Sequence, residues 1–342
     1  MGKIISSIIE PFAIVKWSGK EVSQELSDFV INLNYIDVLD SEKVGTDTVS
    51  MTLSNNDGRF YDAWYPEDGD TLECGIGWFD DNGRRHSWMW GMFSIDEVRF
   101  SINNDRVSIG ANAKPVTRGK IDNEESATYE QTSFVTLAED IANKVGVDVL
   151  ISPQARDVAY TRVQQRDESQ VAMLGRLANE NCIPVAFKGN QLVVGELNSE
   201  TLNIDIRSRD VLTNGTLPVS ARTQNDGIVV WFYDPVNQVA GEYHSGNTEE
   251  GTKVKTLYPD GVTSMEEARA YADNYMASGS ESTSSNQGAR GRLTLANTTV
   301  TTADVITLTN AGKLPNTWKP VSVSTSLTGR GWTSTVTVQR KS

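Results

Sequence analysis

Period-two alternation of apolar and polar residues, interrupted again and again by Gly, Asn and Asp, runs through the first third of this chain and narrows its fold class more than any other feature. Successive side chains of a strand face opposite ways, so such runs bury one face each and need a sheet to bury it in. Val49, Met51 and Leu53 alternate with Thr48, Ser50 and Thr52, and FVINLNYIDVLD, TLECGIGWF and WMWGMFSIDEVRFSI continue the habit. Val98, Phe100 and Ile102 lead up to Asn103-Asn104-Asp105, and Val107, Ile109 and Ala111 lead back, which reads as a hairpin. Many strands joined by polar turns specify a sandwich or barrel.

The stretch LSNNDGRF, residues 53–60, tests whether oxygen-rich side chains before a glycine mark a metal site or a turn. Setting Gly58 at the sixth place of an EF-hand loop puts Asp57 and Asn55 at ligand places but Leu53 at the first and Trp64 at the last. Two ligands are missing, so Asn55, Asn56, Asp57 and Gly58 are read as a structural turn that stops the preceding strand.

After Lys114-Pro115 the period changes. Phe134, Leu137, Ala138, Ile141 and Val145 share a helical face, with Thr132 or Ser133 to cap it and Gly146 to end it. A second helix is expected over about 168–181, with Val171, Leu174, Leu177 and Ala178 inward, before a hairpin through Gly189-Asn190. A third, over 265–276, has Ser264 and Glu267 at capping-box spacing and Ala268, Tyr271, Ala272 and Tyr275 on one face. Strands are expected at 202–206, in GIVVWFYD and through the tail, whereas 236–264 reads as polar, glycine-rich chain with a mobile tip at Glu249-Glu250-Gly251, and 278–288 as an exposed loop.

Composition removes several kinds of function. With two histidines, His86 and His244, chemistry that needs several imidazoles has no material. Cys74 and Cys182 are too far apart for a CxxC pair and read as buried thiols. Neither GxSxG, nor a Walker loop, nor a GxGxxG after a strand is present, and the paired carboxylates 80–81, 124–125, 249–250 and 266–267 fall in polar turns or at helix starts, too wet for a raised pKa. No catalytic residue, metal ligand or cofactor-binding residue is therefore assigned. The start, MGKIISSIIEPFAIVKW, lacks a signal peptide's long apolar region and no run is long enough for a membrane span, so a chain made in the cytoplasm, with no membrane partner, is expected. A net charge of −14 with no basic run predicts repulsion from a phosphate backbone, and hence no specific nucleic-acid binding. The eight tryptophans remain; each singly reads as core, but Trp64, Trp78, Trp88 and Trp90 together are a candidate protein interface, with stacking on sugars as a further use.

The order of these pieces resembles the late control protein D family, the baseplate hubs of contractile phage tails and related tail particles. The resemblance is carried by LSNNDGRF, DGDTLECGIGW and GMFSIDEVRF, then TSFVTLAEDIANKVGV, then QQRDESQVAMLGRLANENCIPVAFKGNQLVV with Glu168-Ser169, Leu174 and Arg176-Leu177-Ala178, and last EEARAYADNYMAS. It implies a mainly β chain with α+β parts: two tail-tube-like β-barrel domains built from discontinuous segments, 1–115 with 203–235 and 116–202 with 286–342, plus an inserted peripheral segment, 236–285. It also implies a non-enzymatic, homotrimeric symmetry adaptor in the virion baseplate, assembled in the bacterial host cytoplasm. Its partners would be the central spike, the tail tube or tube initiator, the tape-measure protein and the baseplate wedges, with DNA passing through its channel without being held. A carbohydrate-binding tail protein and a hub-associated peptidoglycan hydrolase are the alternatives.

Overall fold

Thirteen strands of the described chain join in one hydrogen-bonded sheet, which makes the protein mainly β. The computed structural model describes residues 3–5, 8–39, 44–67, 69–113, 121–181, 183–197, 200–218, 226–259, 262–277, 290–328 and 331–340. At the centre of the sheet, strand Val30–Val38 pairs on one side with Thr48–Ser54 and on the other with Thr317–Thr328, residues from opposite ends of the sequence. From Thr48–Ser54 the sheet continues through Arg106–Asn112, Arg85–Ser101, Thr71–Phe79 and Ile9–Trp17, which returns beside Thr317–Thr328 and Gly331–Arg340. This first lobe thus curls around Leu33, Met51, Leu53, Leu72, Ile76, Val107 and Ile109, all fully buried inward members of the alternation. At the expected hairpin, Ile102 leaves the pattern: the strand ends at Ser101, and Ile102–Asn104 form a single 3₁₀ turn with Ile102 exposed.

On the other side of the centre, Gly331–Arg340 pairs with Thr317–Thr328 and Gly291–Ala296, and Leu212–Thr216 adds an edge. Thr201–Asp205 runs parallel to Val305–Thr309, which is paired in turn with Thr317–Thr328. Leu202, Ile204, Leu212, Leu293, Leu295, Trp318, Val323 and Val336 form this lobe's own core. Within the segment 203–235, which the family resemblance groups with 1–115, Leu212–Thr216 pairs in the second lobe with Gly291–Ala296, and Gly227–Asp234 pairs with Val239–Gly246. The helices of 116–202 pack into the first core, which the strands of 286–342 enter through Leu327 and Trp332. Alternation shows which face of a strand is buried but not which distant strand it pairs with.

Helix Phe134–Val145 starts where the Ser133 hydroxyl accepts the Thr136 N–H at 3.1 Å and ends at Gly146, whose φ of 77° suits a residue without Cβ. Helix Gln170–Glu180 is capped in the same way by Ser169 and buries Met173, Leu174, Leu177 and Ala178. Both pack into the first core beside the hairpin Val185–Lys188 and Gln191–Val194. The peripheral segment is more ordered than its polarity suggests. Val239–Gly246 and Val254–Leu257 pair with Gly227–Asp234, and helix Met265–Ala277 covers one face through Ala268, Ala272 and Tyr275. Ser264 caps that helix, while the Glu267 carboxylate accepts the N–H of Thr263, one residue earlier than a standard capping box. The 278–288 loop and Cys182 lie outside the described residues.

The two lobes share more than a seam. In the hairpin of Thr317–Thr328 and Gly331–Arg340, Val323 and Val336 face each other in the second core, while Leu327 and Trp332, farther along, belong to the first. The Trp332 indole N–H donates to the Thr298 carbonyl at 3.0 Å and its ring meets Trp78 at 5.1 Å. Trp332→Ala would empty a site in the first core through a residue of the second lobe's hairpin, and large-to-small core changes of this kind cost about 3–5 kcal/mol. Urea unfolding is expected to show a loss of that size; a variant unfolding like its parent would mean that the hairpin does not tie the lobes.

Candidate functional site

Among the described residues the most unusual chemistry lies in a joint. Leu33, Tyr35 and Asp37 alternate inward along Val30–Val38, and Asp47 precedes Val49, Met51 and Leu53 on their inward face. Two carboxylates therefore stand where the pattern calls for apolar side chains. Lys188 reaches them from the end of Val185–Lys188. Its ammonium contacts Asp37 Oδ1 and lies 3.0 Å from Asp47 Oδ1. Asp47 also accepts the Tyr35 hydroxyl at 2.7 Å and the Val38 N–H at 3.0 Å. Asp37 accepts the Thr302 N–H and hydroxyl, each at 2.7 Å. The two Asp side chains are only 3% and 2% exposed and that of Lys188 15%. The first lobe, the helical unit's hairpin and a turn of the second lobe thus meet on one buried ionic cluster.

Backbone geometry brings Lys188 there. Gly45 and Thr46 pair in parallel with Ala186 and Phe187, and the Asp47 N–H donates to the Phe187 carbonyl at 3.0 Å. The hairpin's turn at Gly189 presses on the first sheet at Gly91, where a Cβ would stand 2.8 Å from the Gly189 Cα. A second tie follows close by, the Lys319 ammonium lying 2.6 Å from the Glu196 carboxylate. Burial, and next the negative charge of Asp37, push the Asp47 carboxyl up to about 7. For Lys188 burial acts downward, but the carboxylates of Asp37 and Asp47 outweigh it and hold the ammonium above its usual range. Burial raises the Tyr35 phenol well above its usual value, and both carboxylates add to this. None of these residues was singled out from the sequence; the available signal was an acidic residue at an inward place of a strand's alternation.

The sequence candidates are placed differently. Trp78 and Trp90 are buried within the chain, which corrects their reading as an interface. Trp90 stacks on Tyr35 at 4.6 Å and meets Trp88 edge-on at 5.8 Å, while Trp78 stacks on His86 at 5.5 Å. Trp64 and Trp88 are half-buried against the same core. In the turn, Asn55 Oδ1 accepts the Phe60 N–H at 3.1 Å and Asp57 closes on Arg59, so the stretch swings Phe60 into the core. The Arg59 guanidinium, by its hydrogen bond, holds the Asp57 carboxyl below the usual range. Asn56 is exposed and Gly58 takes a φ of 72°. Among the described residues no group of three or more His, Cys, Asp or Glu is arranged to hold a metal ion, and no helix is long and apolar enough to cross a membrane. Cys74 is buried, and burial pushes its thiol up to about 12.

The fold is that of phage tail proteins. The 43 kDa tail protein of prophage MuSo2 from Shewanella oneidensis superimposes with a TM-score of 0.64 at 14% identity, over 97% of this chain and 98% of its own. In sequence the chain is similar to two curated proteins, each called "Probable baseplate hub protein": that of Escherichia phage 186, 21% identical over 64% of this chain, and that of Escherichia phage P2, 22% identical over 55%. The match spans about half of their length, 51% and 46%. No family model matches. These likenesses agree with the resemblance carried by the motifs from LSNNDGRF to EEARAYADNYMAS.

The shifted carboxyl of Asp47 has a pH signature. Its folded pKa lies above the ordinary carboxylate value, so its contribution to stability is complete below about pH 4 and is lost as pH rises through about 7. Asp47→Asn removes that titration. With Lys188 and Asp37 as an unlinked ion pair, the stability of the parent relative to Asp47→Asn is expected to fall by about 2–4 kcal/mol between pH 4 and pH 8, read from urea midpoints; a difference that stays level or grows with pH would contradict the assignment.

Proposed function

We propose that this chain is the structural baseplate hub of a contractile phage tail or tail-like particle. The observation that carries the reading is the full-length match of fold to a phage tail protein, joined to sequence similarity with probable baseplate hubs. In this reading three copies form a ring in which the lobes of each chain alternate. That ring presents a sixfold-like face to the tail tube and a threefold face to the central spike. The two-lobe construction supports the ring, because a trimer gains pseudo-sixfold symmetry only if each chain supplies two comparable units. The tape-measure protein and the baseplate wedges are its other neighbours in the virion, and assembly takes place in the bacterial host cytoplasm.

The net charge of −14 supports a channel wall past which DNA slides. A cationic wall would take up phosphates by releasing their counterions and would slow passage; an acidic or neutral wall does not. The role is structural, and the cluster of Lys188, Asp37 and Asp47 ties parts of the chain together with both carboxylates almost wholly buried. A sugar-binding role loses its motive once Trp78 and Trp90 are seen inside the core. Light scattering of the purified chain, alone and mixed with the spike protein of the same tail, tests the proposal. Three copies with one spike trimer are expected; a monomer indifferent to the spike and to the tube would overturn it.

A further inference from the structure

We propose that Lys188 and Asp37 join in an intramolecular amide, an isopeptide cross-link between the hairpin of the helical unit and the central strand of the sheet, with Asp47 relaying the proton. The two partners are 151 residues apart in sequence, yet the Lys188 ammonium touches Asp37 Oδ1, one bond from the carbon it would attack. Three conditions for such a bond meet here. The amine and the carboxyl are both withdrawn from water, with side chains 15% and 3% exposed. Other ion pairs leave a wetter partner: Glu196 opposite Lys319 is 31% exposed, and Lys16 opposite Glu73 is 39%. A second carboxyl, Asp47, lies 3.0 Å from the Lys188 nitrogen and is fixed by the Tyr35 hydroxyl and the Val38 N–H. A backbone donor, the Thr302 N–H, is aimed at Asp37 Oδ2 from 2.7 Å, where negative charge would build at a tetrahedral carbon.

The step balances without any other reactant. The Lys188 ammonium gives one proton to Asp47, which passes it to Asp37 Oδ1, and the freed amine attacks Cγ of the now neutral Asp37 carboxyl, forming the C–N bond. Oδ2 takes the charge beside the Thr302 N–H. A second proton from the nitrogen passes to Oδ1, which carries the Thr302 hydroxyl as its neighbour, and Oδ1 leaves as water as Oδ2 returns to a carbonyl. Asp47 ends as it began, and the product is an amide with one N–H. Bulk water disfavours condensation of an amine with a carboxylate, but groups held in reacting geometry have effective concentrations of about 10⁵–10⁸ M. Condensation also replaces a desolvated ion pair by a neutral group, removing the penalty that burial puts on both charges. Asp47 suits the relay because burial has already raised its proton affinity toward neutrality.

Mass spectrometry of the purified full chain decides the matter. The intact mass is expected to be one water below the sequence mass. A tryptic digest is expected to contain a branched peptide joining the segment with Asp37 to the segment with Lys188, uncut after Lys188. Since Asp-Gly sequences such as Asp57-Gly58 lose water by cyclising on their own, the branched peptide and not the mass alone is the criterion. Asp47→Asn keeps both reacting groups and is expected to show the full mass and no branched peptide, while a cooperative melt shows it folded; Lys188→Arg serves as the second unlinked variant. Parent protein that remains unbranched after prolonged incubation, or a branch at Asp47, or an Asp47→Asn chain that links as fast as the parent, would each overturn the proposal and leave the cluster an ion pair only.

Discussion

One lysine between two aspartates governs how the parts of this protein are held. Lys188, Asp37 and Asp47 come from the helical unit's hairpin, the central strand and the segment before its neighbour, and Thr302 of the second lobe closes the cluster. Taking such charges out of water costs several kcal/mol each, and the cost is met only while every partner is in place. Removing one leaves a buried charge without a counterpart. A fold that keeps such a cluster is therefore constrained to one relative placement of its units, since apolar surfaces alone can slide against each other and a hydrogen-bonded charge cannot.

The continuous sheet adds to this constraint. Strand Val30–Val38 pairs with a first-lobe strand on one edge and with Thr317–Thr328 on the other, so no edge separates the lobes, and the hairpin ending in Leu327 and Trp332 enters the first core while its base builds the second. The proposed role, a ring between a tube and a spike, would require position to be transmitted across the width of the chain. Two lobes with a flexible link would not do so; two lobes sharing a sheet, a hairpin and a buried ion cluster can.

Much of this was legible in the sequence, and the failures have physical causes. Alternation marked the strands around Val49 and Val107, and the caps at Ser133, Ser264 and Gly146 are where side-chain oxygens and a left-handed residue should be. Motif order pointed to baseplate hubs, to two of which the sequence is similar. What alternation does not carry is strand partnership, so the pairing of Thr201–Asp205 with Val305–Thr309 and of Gly227–Asp234 with Val239–Gly246 could not be read from it. The polarity of 239–257 hid a three-stranded sheet because only one of its faces is covered, by helix Met265–Ala277. Trp78 and Trp90 suggested an interface because their neighbours in sequence do not reveal that Tyr35 and Trp332 supply the aromatic surroundings from far away. The cluster at Lys188 was missed for the same reason: its members are ordinary residues until the fold brings them together.

A reconstruction of the assembled tail in which this chain is located tests the central claim most directly. Three copies in one ring between the tube and the spike are expected, with both lobes of each copy in the ring and the 227–257 sheet on its outside. Six copies, or a place in the outer baseplate away from the channel, would contradict the hub assignment.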